Sequence, residues 1–585
     1  MCSIFAILGP GFDSSEIDSY RNASLKMKHR GPDHSGFASR DSYYLGHNRL
    51  SITGGADNNQ PINSLRKTSQ LVFNGQIYNC PELILKYDLK VNPENDSQVL
   101  IELIEKFGTK ILSEVNGVFA GVFIDNVSKS AILFRDKVGA RPLYYFQGEV
   151  SVIVASEIGP IFEFYGSKQV EEQSIVEVFA LNFTVSKDTF YSGIHSVPPA
   201  TSLSVNLESG QIDSSEKYFN YERLSSKKPT TEELKSALVA SLKRQYPTNM
   251  KSVIYLSSGL DSSLITILSA DLASDVSTVT VRFPDINVGE SLEASNLASK
   301  LNVSWRPIDI DKQKFSNNLS SALFALQEPR IGQSCINYIL HKEIAPNFKV
   351  AFSGAGADEL FGGYPWRYPL RVESEQVVPV SKSLSETAIW IASRWCKVGN
   401  FEKAIACFDI NINFSVSDAI EIVRTELSGY EIDWNDPWAA VEACLAFERN
   451  YFLKNLLTVD DSLSMQFGLE IRVPFLDDEI IKLSQNFHPS QFFSYCHETK
   501  SILGKAPIRL LVSELGFPEI ASRQKLGFSA PTDLVSSSLC EYIFNVESEP
   551  VYGLVRKRLE SLVSTLEERE KQSLLWVIAE IKSLT

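Results

Sequence analysis

Long apolar runs are missing from this 585-residue sequence, and no stretch approaches the roughly 18 consecutive apolar residues of a membrane-spanning helix. A leader is missing too: the run Ile4 to Leu8 is short, lacks a preceding basic segment and is interrupted by Gly9-Pro10-Gly11. Cysteine is sparse. The eight cysteines show neither the paired spacing of a zinc site nor the density of a disulfide scaffold, which points to a reducing, cytoplasmic setting. Positive charge is also short, since 56 Lys and Arg against 71 Asp and Glu leave a net −15. That balance argues against nonspecific partnership with nucleic acid or an anionic membrane. No internal repeat or low-complexity segment interrupts the chain.

What remains reads as an ordinary globular protein, with 44% hydrophobic and 22% charged residues, and the length suits two or more domains with their own cores. Residues 1–210 carry short strand-like runs such as Gln70-Leu71-Val72-Phe73 and Val118 to Ile124, punctuated by Gly, Asn and Pro, the pattern of a layered sheet domain with a few helices. The polar stretch Ser225-Ser226-Lys227-Lys228-Pro229 marks a linker, placed at 211–230. A second domain is expected over 231–585. It opens with the capping-box pair Thr230 and Glu233 ahead of Leu234, Leu238 and Leu242. A strand at Ser252 to Leu256, a polar loop and a helical stretch from Leu264 then predict an α/β unit with a parallel sheet. From about residue 376 the pattern is mostly helical.

The chemistry begins at Cys2. Removal of Met1 would leave a thiol and a free α-amine on one residue, and with unperturbed values near roughly 8.5 and roughly 7.7–8 these form a nucleophile with its own base. Downstream come His29-Arg30-Gly31-Pro32-Asp33, Arg49-Leu50-Ser51-Ile52 and Asn74-Gly75-Gln76-Ile77-Tyr78-Asn79. In this order the blocks resemble the class II glutamine amidotransferases, of N-terminal nucleophile type. That resemblance implies Cys2 as nucleophile and Asn74 with Gly75 as the oxyanion hole. It also implies a glutamine site built from Arg49, Leu50, Ser51, Ile52, Gln76 and Asp96, with Arg49 on the α-carboxylate and Asp96 on the α-amine. Arg135-Asp136 and Arg141-Pro142-Leu143-Tyr144 also match the family and read as structural or interface residues.

In the second half, the loop Ser257-Ser258-Gly259-Leu260-Asp261-Ser262-Ser263 offers small residues, hydroxyls and a helix N-terminus to an anion. It resembles the pyrophosphate loop of ATP pyrophosphatases, with Ser258 where a second glycine is usual. Further blocks run from Ser353-Gly354-Ala355-Gly356-Ala357-Asp358-Glu359 to Tyr364 and from Leu469-Glu470-Ile471-Arg472 to Asp477, followed by Lys505, Arg509, Arg523, Lys525, Gly527 and Phe528. Together they resemble the synthetase domain of the glutamine-hydrolysing asparagine synthetase family.

This second resemblance implies ATP bound by Leu256, Ser257, Ser258, Gly259, Asp261, Ser262, Ser263, Val281, Ser353 and Gly354, with Leu256 and Val281 flanking the adenine. It implies Mg²⁺ held by Asp261 and Asp358, and Lys505 neutralising phosphate charge. The reaction implied is the amidation of aspartate to asparagine through an aspartyl adenylate, with ammonia from glutamine and with AMP and pyrophosphate released. A homodimer is compatible with the family. Two positions depart from its pattern: Gln76 replaces a glutamate, and Ala355 replaces the carboxylate of a Ser-Gly-Glu or Ser-Gly-Asp block. Ala355 opens two alternatives, an acceptor acid other than aspartate and a binding or regulatory paralogue with an impaired synthetase site.

Overall fold

The computed structural model describes all residues except 1, 167, 187–188, 224–227, 248–249, 285–288, 331–333, 396–403, 406, 408–414, 526–530, 545–555, 567 and 585. Most of the polar stretch from Ser225 to Pro229, and both Gly527 and Phe528, therefore lie outside the described residues.

The N-terminal part stacks two six-stranded antiparallel sheets. The strand Cys2–Leu8 shows how alternation builds the stack. Ile4, Ala6 and Leu8 point into the core between the sheets, against Val72, Ala120 and Val122, whereas Phe5 and Ile7 face the opposite side, with Tyr20 and Ile161 in that core. On the far side of the other sheet, Leu71, Phe73 and Phe119 pack with Val99, Leu100 and Leu103 of the helix Asp96–Phe107. The result is a helix, sheet, sheet, helix layering. Cys2 pairs with Arg49 of the strand Tyr43–Arg49, while Asn74 and Gly75 lie in the strand Ser69–Ile77 of the second sheet.

Residues 211–217, expected in the linker, instead form a strand that pairs with Thr201–Asn206 at the end of the second sheet. Its seven residues, Gln211 to Lys217, have one apolar member and are almost all exposed. An edge strand held by main-chain hydrogen bonds has no buried face to advertise in its sequence.

The second part contains the expected parallel sheet, with five strands in the spatial order Ser304–Asp309, Ser277–Arg282, Ser252–Tyr255, Val350–Phe352, Glu470–Arg472. Strand order reverses between Ser252–Tyr255 and Val350–Phe352, and the crevice beyond the carboxyl ends of such a pair is where doubly wound sheets hold ligands. The capping box forms as predicted, with the Thr230 hydroxyl accepting the Glu233 N–H and the Glu233 carboxylate accepting the Thr230 N–H. One boundary moves. The helix after the first strand begins at Leu260 rather than Leu264, capped by Gly259 in extended conformation, so Asp261, Ser262 and Ser263 occupy its first turn.

Beyond residue 376 the chain is mostly helical, including Leu384–Trp395, Val416–Ser428, Ala439–Phe447 and Lys454–Met465. Residues 376–379 instead complete a hairpin with Leu370–Glu373, and a second hairpin joins Ser494–Cys496 to Ser501–Leu503.

Two candidate active sites

The first site lies where the two N-terminal sheets meet at Cys2. The Cys2 N–H donates to Asn74 Oδ1 at 2.8 Å. The other half of that amide, Asn74 Nδ2, is buried without a hydrogen-bond partner among the described residues. A buried donor left free costs stability, so an N–H held in reserve beside a thiol is the arrangement an acyl-transfer oxyanion requires. Gly75 is fixed by space: a Cβ there would sit 2.1 Å from the Val118 carbonyl oxygen. Burial pushes the Cys2 thiol up, and the nearby amino-terminal charge, the Leu50 main chain and Arg49 oppose that rise.

Cys2, Arg49, Leu50, Gly75, Gln76 and Asp96 line one small pocket, and Ile52 joins them. Ser51 is not in its wall, and its N–H donates instead to Asp33 at 2.7 Å. Arg49 reaches along the rim, donating to the carbonyls of Thr53 and Gly55 and to Asn59 Oδ1 at 2.8–2.9 Å, which ties down the loop over the pocket. Gln76 accepts from the Thr53 hydroxyl at 3.1 Å. Asp96 accepts from the Ile77 and Ser97 N–H groups. Burial pushes its carboxyl up to about 6 despite those bonds, so an incoming ammonium would relieve an unfavourable buried charge.

One wall of this pocket comes from the other domain: Glu470, in the strand Glu470–Arg472. Burial raises its carboxyl, but the amino-terminal charge, Arg472 and Arg141 outweigh that and hold it down to about 2. The same strand touches the second site, because the Arg472 carbonyl accepts the Ser353 N–H at 2.9 Å. Arg30 makes a second bridge. It donates from Nε to the Cys2 carbonyl at 3.2 Å and, from its terminal nitrogens, to Glu157 at 3.2 Å and Asp461 at 2.5 Å. Arg141 donates to the Ile471 carbonyl at 3.1 Å and lies 3.5 Å from Asp461. Arg135 and Asp136 are spent on turns, Arg135 on Ser196, Val197 and Gly139, and Asp136 on the N–H groups of Phe119, Val138 and Ala140. Sequence reading quoted the block around Glu470 without placing it at Cys2. Asp461 and Glu157 it missed, since no local pattern reveals contacts to Arg30 made across 431 and 127 residues.

The second site sits at the switch point of the parallel sheet. Ser257 and Ser262 bind each other through their hydroxyls at 2.9 Å, and the Ser257 hydroxyl also accepts the Gly259 N–H at 3.0 Å, which folds the loop into a compact turn at the helix N-terminus. Ser258 donates to Glu290 at 3.4 Å, its carbonyl accepts from Arg523 at 2.9 Å, and the Ser263 hydroxyl is buried without a partner among the described residues. Gly354 lets the neighbouring loop close in, since a Cβ there would lie 2.8 Å from Asp261 Cβ. Leu256 is buried and its N–H donates to the Val279 carbonyl at 2.9 Å, while Val281 lies two residues on in that neighbouring strand.

Lys505 is the hub. Its buried ammonium donates to both oxygens of Asp261 at 2.7–2.8 Å and to Asp358 at 2.7 Å, and Lys525 takes the other Asp358 oxygen at 2.7 Å. Burial alone would raise the Asp358 carboxyl, but the two lysines hold it far below the ordinary carboxylate range. Its neighbour Glu359 behaves oppositely: burial, Asp358 and Glu448 push it up to about 7, and it accepts from the Tyr364 hydroxyl at 2.9 Å. Asp261 and Asp358 thus meet at one cation, and their carboxylates would be the residues to hold Mg²⁺ beside bound phosphates. Among the described residues no three His, Cys, Asp or Glu side chains gather into a self-sufficient metal cage.

Comparison with known proteins agrees with this two-part construction. Residues 1–219 match the glutamine amidotransferase domain family and residues 233–584 the asparagine synthase family. The chain is 25% identical over 573 residues to asparagine synthetase [glutamine-hydrolyzing] 1 of Bacillus subtilis (strain 168), covering 92% of this chain and 87% of the relative. It is 24% identical to asparagine synthetase [glutamine-hydrolyzing] 3 of the same organism, covering 92% and 89%. It is 25% identical to amidase chyE of Penicillium rubens, covering 91% and 89%.

Proposed function

The chain belongs to the asparagine synthase family, and from that premise we propose that it makes an amide from aspartate, ATP and ammonia cut from glutamine, through an aspartyl adenylate. The glutamine-dependent amide ligase character follows from the family; the acceptor, the intermediate and the residue roles are our reading. The observation that carries it is the strand Glu470–Arg472, which contributes a side chain to the pocket of Cys2 and a carbonyl to the loop of Ser353. Two sites sharing one strand suit a reaction whose first product is the second site's substrate.

In this reading, removal of Met1 frees the Cys2 amine. That nitrogen takes the thiol proton as sulfur attacks the side-chain amide carbon of glutamine. Asn74 Nδ2 and the Gly75 N–H receive the developing oxyanion, Arg49 and Asp96 hold the amino-acid end, and the amine returns its proton to the leaving ammonia. Water then releases glutamate from the thioester. At the second site the acceptor carboxylate attacks the α-phosphorus of ATP, pyrophosphate leaves over the Ser257 to Ser263 loop, and Lys505 neutralises charge on the phosphates. Ammonia displaces AMP from the acyl adenylate to give the amide. Bound between Asp261 and Asp358, Mg²⁺ would supply additional charge neutralisation on the phosphates.

Incubation with aspartate, glutamine, ATP and Mg²⁺ tests the proposal by the appearance of asparagine, AMP and pyrophosphate. No ATP-dependent asparagine would overturn the assignment of aspartate. Ala355 favours a second reading, in which the same two half-reactions serve a different acid: methyl replaces carboxylate beside the Ser353 hydroxyl, which accepts the Ala355 N–H at 3.3 Å.

A further inference from the structure

Beside the lysine hub runs an open groove of about 470 Å³, within the size range of small-molecule sites. Its walls come from Trp366, Tyr368 and Trp390 on one side and Ser501 to Gly504 on the other, with Arg394 and Lys525 also lining it. Lys525 is the ammonium that grips Asp358 in the second site. Gly504 closes the join: a Cβ there would lie 2.0 Å from the Gly362 carbonyl, so the groove wall rests directly on the loop that follows Asp358. The groove therefore shares Lys525 with the second site and adjoins the loop after the Asp358 helix.

Its chemistry is unlike that of a pocket for a four-carbon diacid. Trp366 is 47% exposed, so its ring offers an accessible apolar face along the groove, the kind of lining small-molecule sites use. Trp390 is held in orientation by its indole N–H, which donates to the Arg367 carbonyl at 2.7 Å. The Arg394 guanidinium stacks on the Trp390 ring at 4.3 Å, and no carboxylate among the described residues pairs with it. Aromatic side chains and a guanidinium without a carboxylate partner among the described residues match a planar ligand that carries an anionic group.

We propose that this groove seats the acceptor acid beyond its reacting carboxylate, with an aromatic or similarly planar body against Trp366 and Trp390 and a second anionic group on Arg394. The inference rests on the ligase reading and favours its second form, in which the acceptor is larger than aspartate.

Titration of the full-length protein with phenylsuccinate, which carries a ring and two carboxylates, and in parallel with aspartate tests it by tryptophan fluorescence. Phenylsuccinate is expected to change the emission and aspartate to leave it unchanged. Arg394→Gln should weaken phenylsuccinate binding about tenfold and Trp390→Ala more, whereas Trp390→Phe, which keeps a ring, should stay within about threefold of the parent. Absence of binding, or equal binding by the parent, Arg394→Gln and Trp390→Ala proteins, would overturn the groove assignment. Pyrophosphate release is read in the same samples. Release driven by aspartate without any phenylsuccinate signal removes the groove and leaves the ligase reading standing. Binding without release from any acid overturns the ligase reading, and with it the assignment of the groove to an acceptor.

Discussion

Asn74 accepts the Cys2 N–H through Oδ1 while its Nδ2, buried on the same side chain, donates to none of the described residues. In the proposed reaction one amide thus orients the nucleophile and keeps a donor for the oxyanion. Asn74→Ala removes both, and loss of a single oxyanion donor is worth about 10²–10³ in kcat. Glutamate release from glutamine should fall by that order, with the melting temperature little changed.

Cys2→Ala separates the two half-reactions. Glutamine-dependent pyrophosphate release should vanish, while added ammonium salts still support amide formation. That ammonia-driven rate should climb from pH 7 to 9 as the unprotonated fraction grows. Product formation with each nitrogen source checks it.

Asp96 gives the glutamine site an acid limb. Its carboxyl is raised from 3.8 to about 6 by burial, so below about pH 6 it is neutral and cannot pair with the ammonium of glutamine. The KM for glutamine should therefore rise as pH falls through about 6, and Asp96→Asn should raise it at neutral pH and flatten the dependence. For folding the sign is the reverse of a salt-bridged acid: the folded state holds this proton more tightly, so the contribution is favourable below the unfolded value near 3.8 and is lost as pH rises through about 6.

Glu157 works the other way. Burial raises it, but His29 and Arg30 hold it down to about 2 from 4.5. Its contribution is fully present above pH 4.5 and disappears as pH falls toward about 2, a span of ~3 kcal/mol. Glu157→Gln should lower stability in denaturant titrations at pH 7 and shrink that acid-dependent loss.

Lys505→Met leaves two buried carboxylates, Asp261 and Asp358, without their shared cation. Removing one partner of a buried ionic cluster costs about 3–5 kcal/mol, and pyrophosphate release should become undetectable. Lys505→Arg should not restore it, because a planar fork cannot replace a compact ammonium that meets two carboxylates. Pyrophosphate release and urea unfolding of both variants check these outcomes.

Local chemistry was the legible part of this molecule. The Thr230 and Glu233 cap and the parallel strand ahead of Ser257 follow from signals a few residues long, and each formed as the pattern required. Asp261 to Ser263 read as loop because a serine-rich turn and a first helical turn have the same composition; Gly259, as the cap, decides between them only in three dimensions. Strand Gln211–Lys217 carried no apolar face to detect. Of the first site, Cys2, Arg49, Leu50, Ile52, Gly75, Gln76 and Asp96 stand in blocks readable along the chain, whereas Thr53, Asn58, Gln60, Phe73 and Ser97 carry no such signal and Glu470 lines the pocket only because sheets from the two halves of the chain meet there.

That meeting makes the seam between the two halves a poor place to cut. A fragment ending near residue 219 would keep Cys2, Asn74 and Asp96 yet lose the wall supplied by Glu470 and the anchor that Asp461 gives Arg30. In engineering terms the N-terminal unit is not a portable cassette. Grafted onto another ligase, it would need a surrogate for the Glu470–Arg472 strand.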